Sequence, residues 1–321
     1  MLKNKLEIII PTYNRQHLLA NTLTQLLDDK SPIKDLNILV LDNNSSDNTQ
    51  NYIEKIKQTH SNISYIKNNY NLGIGGNIAR ALEYASKEYV WLLGDDDIIF
   101  LDAWPEVEKA IQKGEKIICA ANYILQKGEE KSISALLLQM SFVSCNILHS
   151  SLFTNTEMAN IVNNIYTLFP HIPPIIAYIN NGHIPYLLPK PLVTNGMKQT
   201  TDTSYIRGYD NAELYLKQRS MSWIVGWANV IAQISNKKLQ QQCMARSIIA
   251  IHGSWGEFNR CIFSWYISKG NFLPALEVTR VLPFWRKIFL WISVSIYQQK
   301  ENNAWYIFFF GIKTKIWVSH K

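Results

Sequence analysis

The sequence predicts an α/β protein built on a mostly parallel sheet flanked by helices, and three observations carry that expectation. Over the first hundred residues, short apolar runs alternate with longer segments of helical spacing, the pattern of successive strand-helix-strand units. Each apolar run ends in a polar loop, and in an open parallel sheet such loops gather on one rim where ligands bind. The fourth run, Tyr89-Val90-Trp91-Leu92-Leu93-Gly94, closes on three consecutive carboxylates, Asp95, Asp96 and Asp97.

Leu6 to Ile10 reads as the first strand, ending at Pro11, and His17 to Leu27 as a helix with Leu18, Leu19, Leu23, Leu26 and Leu27 on one side. Asn37 to Leu41 is the second strand. Its loop, Asp42-Asn43-Asn44-Ser45-Ser46-Asp47-Asn48-Thr49, is rich in N-cap residues and opens a helix through about Lys57. Ile63 to Ile66 is the third strand, the glycine-rich loop Asn71 to Asn77 opens a third helix, and Glu88 to Leu93 is the fourth strand. A helix from about Ala103 to Lys113 and an apolar strand, Ile117 to Tyr123, precede a charged loop, Gln126 to Ser134. Between 135 and 200, Pro170, Pro173, Pro174, Pro185, Pro189 and Pro191 favour irregular structure over long helices. From Ala212 the pattern is mainly helical, over Ala212 to Gln218, Met221 to Ile234, Leu239 to Ile251 and Ser254 to Ser268.

A chain of 321 residues with 47% hydrophobic content can bury a substantial core as one large or two modest domains. Cys119, Cys145, Cys243 and Cys261 stand far apart with no C-x-x-C spacing, which argues against a zinc site or disulfide framework and for a reducing cytoplasm. The first apolar stretch is short and interrupted by Glu7, too brief for a signal-peptide core. Most of the net charge of +7 lies near the end, where Arg280, Arg286, Lys287, Lys300, Lys313, Lys315 and Lys321 face Glu301 alone. Trp285, Trp291, Trp305 and Trp317 lie among them, and basic residues interleaved with aromatics suit a membrane surface. The apolar stretches Ile288 to Tyr297 and Ala304 to Ile312 run about ten residues each, short of the roughly 20 that span a bilayer. Surface attachment is expected, against the competing reading of a helical pair packed on the core with a solvated basic face. No recognition motif accompanies the charge, so nucleic acid is not an expected partner.

Three negative charges at the end of a buried strand repel one another unless a cation or hydrogen-bond donors compensate. Hard oxygen ligands of this kind suit Mg²⁺ or Mn²⁺, whereas the same residues could form an acidic turn that caps the next helix. The glycines of Leu72-Gly73-Ile74-Gly75-Gly76-Asn77 do not complete a dinucleotide fingerprint, because Ile78 stands where the last glycine belongs and the loop follows the third strand. Neither a Walker A sequence nor a G-x-S-x-G elbow is present. A nucleotide site of another type remains: an acidic group for a base or ribose, backbone amides for phosphate, and a cation on aspartates.

Ile9-Ile10-Pro11-Thr12-Tyr13-Asn14-Arg15, Asp42 to Thr49, Asn71-Leu72-Gly73 and Trp91 to Asp97 resemble, in order, the motifs of family 2 glycosyltransferases of the GT-A fold, in particular the bacterial abequosyltransferase-like enzymes of O-antigen and capsule assembly. The resemblance covers residues 5–105 strongly and 140–195 loosely. It implies a Rossmann-like sheet with a nucleotide-sugar-binding half over 1–100, an acceptor-binding half over 101–211 and a helical C-terminal region with a basic aromatic tail over 212–321. By the same resemblance Pro11, Thr12, Tyr13 and Arg15 line the nucleotide pocket, Asp42 faces the base, and Asn71 and Gly73 border the sugar nucleotide. Many relatives read Asp-x-Asp-Asp, and this chain has Gly94 in place of the first Asp. Asp96 then takes the metal-binding and catalytic place, Asp97 the neighbouring one, and Asp95 the variable slot near the donor.

An inverting transferase also needs a base for the acceptor's proton, and relatives supply it from a Glu-Asp pair opening a helix. The corresponding stretch, Leu168-Phe169-Pro170-His171-Ile172-Pro173, has no acidic pair. His171 is the substitute, since imidazole titrates at about pH 6.5; the alternative is a histidine that hydrogen-bonds in a packed loop. Asp202 and Asp210 are further candidates, each also readable as a turn or capping residue, and His252 could reach the metal or simply end a helix. The implied activity moves a sugar from a nucleotide-diphosphate donor to a lipid-linked or growing polysaccharide acceptor, in the cytoplasm at the inner face of the cell membrane. The competing readings are a sugar-phosphate nucleotidyltransferase, whose Gly-rich phosphate loop Pro11 to Arg15 lacks, and a degenerate transferase serving as a scaffold.

Overall fold

The computed structural model describes residues 2–120, 132–196, 223–265, 273–292, 295–299, 304–309 and 312–318. They fall into two units, Met1–Ala212 and Glu213–Lys321. In the first, β1 (Leu6–Thr12), α1 (Gln16–Leu27), β2 (Asn37–Asp42), α2 (Thr49–Lys57), β3 (Ile63–Lys67), α3 (Gly73–Glu83) and β4 (Tyr89–Leu92) follow the expected alternation. After β5 (Asp97–Ile99), α4 (Trp104–Gln112) and β6 (Ile117–Cys119), β7 (Asn146–His149) and β8 (Tyr186–Leu187) complete a seven-stranded sheet of order β3-β2-β1-β4-β7-β6-β8. β3, β2, β1 and β4 are parallel, and β7 runs antiparallel to both neighbours, β4 and β6. Ile8, Ile9, Ile10, Val40, Leu41, Trp91 and Leu92 are buried, because helices cover the parallel strands on both faces and leave no polar alternation.

β1 continues through Pro11 to Thr12 rather than stopping at Ile10. The Ile9 carbonyl accepts from Leu93 on the β4 side and the Thr12 carbonyl from Asn43 on the β2 side. Strand alternation therefore points the nitrogen of Pro11 toward β4, beyond the last paired residue Leu92, so the missing N–H costs no ladder bond. Glu7, buried inside the same strand, accepts from the Ser86 and Lys87 amides in the turn before β4.

The glycine-rich segment expected as a loop is mostly the first turn of α3, which begins at Gly73 (φ 71°). A Cβ on Gly75 would collide with the Ile165 carbonyl, so this glycine lets α3 touch the turn at Ile165–Thr167. The proline-bearing stretch is more helical than expected. α5 (Ile133–Met140), α6 (Asn155–Asn163) and α7 (Pro173–Asn180) occupy it, with Pro173 and Pro174 opening α7 where a missing N–H is harmless. A short strand, β9 (Val193–Asn195), pairs with β5.

The second unit holds α8 (223–231), α9 (Lys237–His252), α10 (Trp255–Trp265), α11 (Leu273–Arg280) and α12 (Phe284–Ile292). It also holds an unexpected antiparallel sheet, β10 (Ser295–Gln299), β11 (Ala304–Phe309) and β12 (Ile312–Val318), which sets Trp305 opposite Trp317. A tail of alternating aromatic and basic residues satisfies strand spacing as readily as helical spacing. The expected helix Ala212 to Gln218, the loop over 126–131, Asp202 and Asp210 lie outside the described residues.

Candidate active site

The carboxyl ends of β1, β2 and β4 and the start of α3 meet at one rim. Asn14 (φ 52°) donates its backbone N–H to Ser45 Oγ at 2.8 Å and accepts from the Ser46 N–H through Oδ1 at 2.7 Å, tying the first loop to the second. Asn43 Nδ2 donates to Asn71 Oδ1 at 2.7 Å and to the Gly73 carbonyl at 3.2 Å, tying the second to the third. Asn43 Oδ1 accepts from Asn68 Nδ2 and the Leu72 amide, and Asn68 also donates to Asn77, so four asparagines set the backbone of the Asn71–Gly73 loop. Asn71 and Gly73 themselves stay exposed, as does Tyr13, while Pro11 is half-buried.

The three aspartates have three environments. Asp95, almost fully buried, accepts from Thr12 Oγ1 at 2.6 Å and pairs with Arg15 Nη1 at 2.9 Å. Desolvation pushes its carboxyl above the usual range despite Arg15, with Asp96 adding to the rise. Asp97 is turned inward, accepting from Ser144 Oγ and, at 3.2 Å, from the Gly94 amide. Its Oδ1 is buried without a hydrogen-bond partner, and burial, then the charge of Asp96, push it to about 7. Asp96 alone keeps an opening to solvent, with 13% of its side chain exposed, and it pairs with Arg15 Nη2. Burial opposes the charge on Arg15, but Asp95, Asp96 and Asp97 together raise its pKa.

Donors compensate part of this cluster's charge, and among the described residues no group of three or more acidic, His or Cys side chains forms a ready cage. The cluster still fits a divalent ion of the kind held by one or two carboxylates plus substrate phosphates. Asp96 supplies an open hard oxygen at the rim, and the orphaned Asp97 Oδ1 behind it is an acceptor awaiting a positive partner. A Cβ on Gly94 would collide with the Asp97 carboxylate, so a larger residue there would require that side chain to shift.

Two of the expected site residues are buried. Asp42 was expected to face the base, yet its side chain is fully buried, with Oδ1 accepting from the Ser45 amide at 2.8 Å and Oδ2 from Tyr65 OH at 2.6 Å. It shapes the second loop, while the rings of Tyr13 and of Tyr70, beside Asn71, are exposed. His171 is 1% exposed, its Nε2 lies 3.1 Å from the Met140 carbonyl, and burial lowers its pKa to about 4. A buried imidazole with a lowered pKa fits the packed-loop alternative. His252 ends α9 beside Gly253, with its ring 5.6 Å from that of Phe258.

Sequence reasoning missed the second layer. Thr22 Oγ1 donates to the Asp95 carbonyl at 2.9 Å, and Gln25 brackets β5 through the Asp97 carbonyl and Ile99 amide, both at 2.9 Å. The signal was two polar residues three apart on the leucine face of α1. Ser144, which also donates nothing to sequence pattern, holds Asp97 and accepts from the Gly94 amide at 2.8 Å.

Comparison with known proteins agrees with this geometry. Residues 7–168, half of the chain, match the family described as glycosyl transferase family 2. A GalNAc(5)-diNAcBac-PP-undecaprenol beta-1,3-glucosyltransferase of Campylobacter jejuni is 36% identical over 111 residues, 34% of this chain and 35% of that protein. Abequosyltransferase RfbV of Salmonella typhimurium is 32% identical over 95 residues, 29% of this chain and 28% of the relative. The matches thus span about a third of the length of these curated relatives. Mannosyltransferase PcManGT of Pyrobaculum calidifontis, solved in complex with GDP-Man and Mn²⁺, superposes with a TM-score of 0.56 at 14% identity, covering 86% of this chain and 78% of that one, a likeness of GT-A fold. With the ordered motifs, the rim that they build and the family match in agreement, the chain belongs to the family 2 glycosyltransferases.

Proposed function

We propose that the protein transfers a sugar, with inversion, from a nucleotide-diphosphate donor to a lipid-linked or growing polysaccharide acceptor in cell-surface glycan synthesis. The observation that carries the reading is Asp96, the one of the three consecutive aspartates that keeps an opening to solvent, at the rim where the loops of β1, β2 and α3 meet. Asp96, backed by Asp97, is the place for Mg²⁺ or Mn²⁺, which when bound stabilises charge developing on the leaving diphosphate. Tyr13 offers a face for the base, Thr12 and Asp95 hold Arg15 toward the phosphates, and Asn71 and Gly73 border the sugar nucleotide. His171 has no part in proton transfer.

Support for the acceptor class comes from relatives whose names specify undecaprenol-linked substrates. An acceptor of that kind is reached from a membrane surface. Among the described residues no helix is long and apolar enough to cross a membrane, while Phe284 and Trp285 on α12 are 67% and 71% exposed beside Arg286 and Lys287. Such a helix end suits peripheral attachment to the anionic inner face.

The test is release of nucleoside diphosphate from UDP-, GDP-, CDP- and dTDP-sugars with Mn²⁺ and with EDTA, preceded by a thermal-shift screen of the same donors. One donor that raises the melting temperature and is turned over with Mn²⁺ supports the reading. No binding and no turnover of any donor in either condition would overturn it.

A further inference from the structure

We infer that Arg15 is a shared guanidinium: it holds the carboxylate of Asp96 in the donor-free protein and gives that contact to the donor's diphosphate when the site fills. The inference rests on the proposed donor and cation site and adds a residue whose exchange couples the two ligands.

The contacts of Arg15 with Asp95 and with Asp96 are unequal. Nη1 reaches Asp95, whose side chain is 3% exposed, and Nη2 reaches Asp96, whose side chain is 13% exposed. Withdrawing the guanidinium from Asp95 would strip a buried carboxylate of its ion-pair partner and leave it leaning on Thr12, which is strongly unfavourable. Releasing Asp96 costs far less, since that oxygen lies at the rim where water and ligands replace the lost contact. The backbone is fixed, because the Arg15 carbonyl accepts from the Leu18 and Leu19 amides, both at 3.0 Å, at the first turn of α1. Movement is therefore confined to the far end of one side chain.

The carboxylate that accepts from Nη2 is also the one with a side chain partly open to solvent. A guanidinium and a divalent ion on one carboxylate repel each other, so Arg15 competes with the ion for Asp96. A diphosphate removes the competition, because the planar guanidinium matches phosphate oxygens as well as carboxylate oxygens. Donor and cation then assist each other's binding through a residue that neither has to displace from Asp95.

Titration with Mn²⁺ alone, followed by calorimetry, compares wild type with Arg15→Lys, whose single ammonium can stay with Asp95 but cannot span both carboxylates. The expected result is Mn²⁺ binding about tenfold tighter in Arg15→Lys, abolished by adding Asp96→Asn. Equal affinity in a folded Arg15→Lys protein overturns the inference and leaves the cation reading standing. Absence of Mn²⁺ binding by either protein removes the cation from the site and the inference with it. A second measurement needs no variant: arginine side-chain NMR of the wild type with inorganic pyrophosphate in EDTA. A shift of the Arg15 guanidinium signal is expected, and an unmoved signal at saturating pyrophosphate overturns the exchange.

Discussion

The acidic junction after β4 and the turn that leads into α7 both carry titratable side chains into the interior, yet only the first keeps a charged oxygen near solvent. Asp95 and Asp97 are buried with donors from Thr12, Arg15, Ser144 and the Gly94 amide, and they leave Asp96 at the rim. His171 is buried with one carbonyl beside Nε2 and no partner at Nδ1. The difference teaches that burial with partners aims a charge, whereas burial without them removes it. A histidine in the right sequence window is no base if water and acceptor cannot reach it.

Substitution at the two places should separate them, and the largest effect is expected at Asp96. Asp96→Asn should lower donor turnover by at least about a hundredfold while moving the melting temperature by less than about 4 °C, measured by nucleoside diphosphate release and calorimetry. A variant with near wild-type turnover would remove the asymmetry between the junction and the α7 turn.

His171 should show itself in stability instead. Its folded pKa, lowered to about 4, lies below the ordinary 6.5, so between these values the unfolded chain binds more protons. The stability is complete above pH 6.5 and is lost as pH falls toward 4, by about 2–3 kcal/mol at the lower end. Denaturant titrations over that range should show this acid loss in the wild type and lack it in His171→Gln. Turnover per folded His171→Gln molecule should stay within about threefold of wild type, where loss of a base would cost a hundredfold or more.

Ser144→Ala tests whether the donors aim the junction. It leaves the Asp97 carboxylate short of a donor and should cost about 1–2 kcal/mol of stability. The smallest effect concerns the second unit: Phe284→Ser with Trp285→Ser should weaken binding to anionic vesicles by up to about tenfold without altering donor hydrolysis in solution.

The parallel half of the sheet was legible because strands covered on both faces become uninterrupted apolar runs, as in Ile8 to Ile10 and Leu39 to Leu41. The Asp95–Asp97 junction was legible because three adjacent charges at the end of a buried strand repel one another unless a cation or donors compensate them. The helices α5 to α7 were obscured by prolines that act as helix starters, and β10 to β12 by residues whose spacing serves either period. The inward turn of Asp42 depends on Tyr65, a neighbour across the sheet that no local pattern announces.

The amino-acid order by itself determined the succession of strands and helices, the family motifs and the identity of the acids at the rim. Tertiary structure alone decided which acid stays open, which histidine is sealed and where Arg15 points. The physical reason is distance along the chain: Arg15 meets Asp96 from 81 residues away and Ser144 meets Asp97 from 47. A carboxylate's charge is set by desolvation and by such partners, and both exist only once the chain has folded.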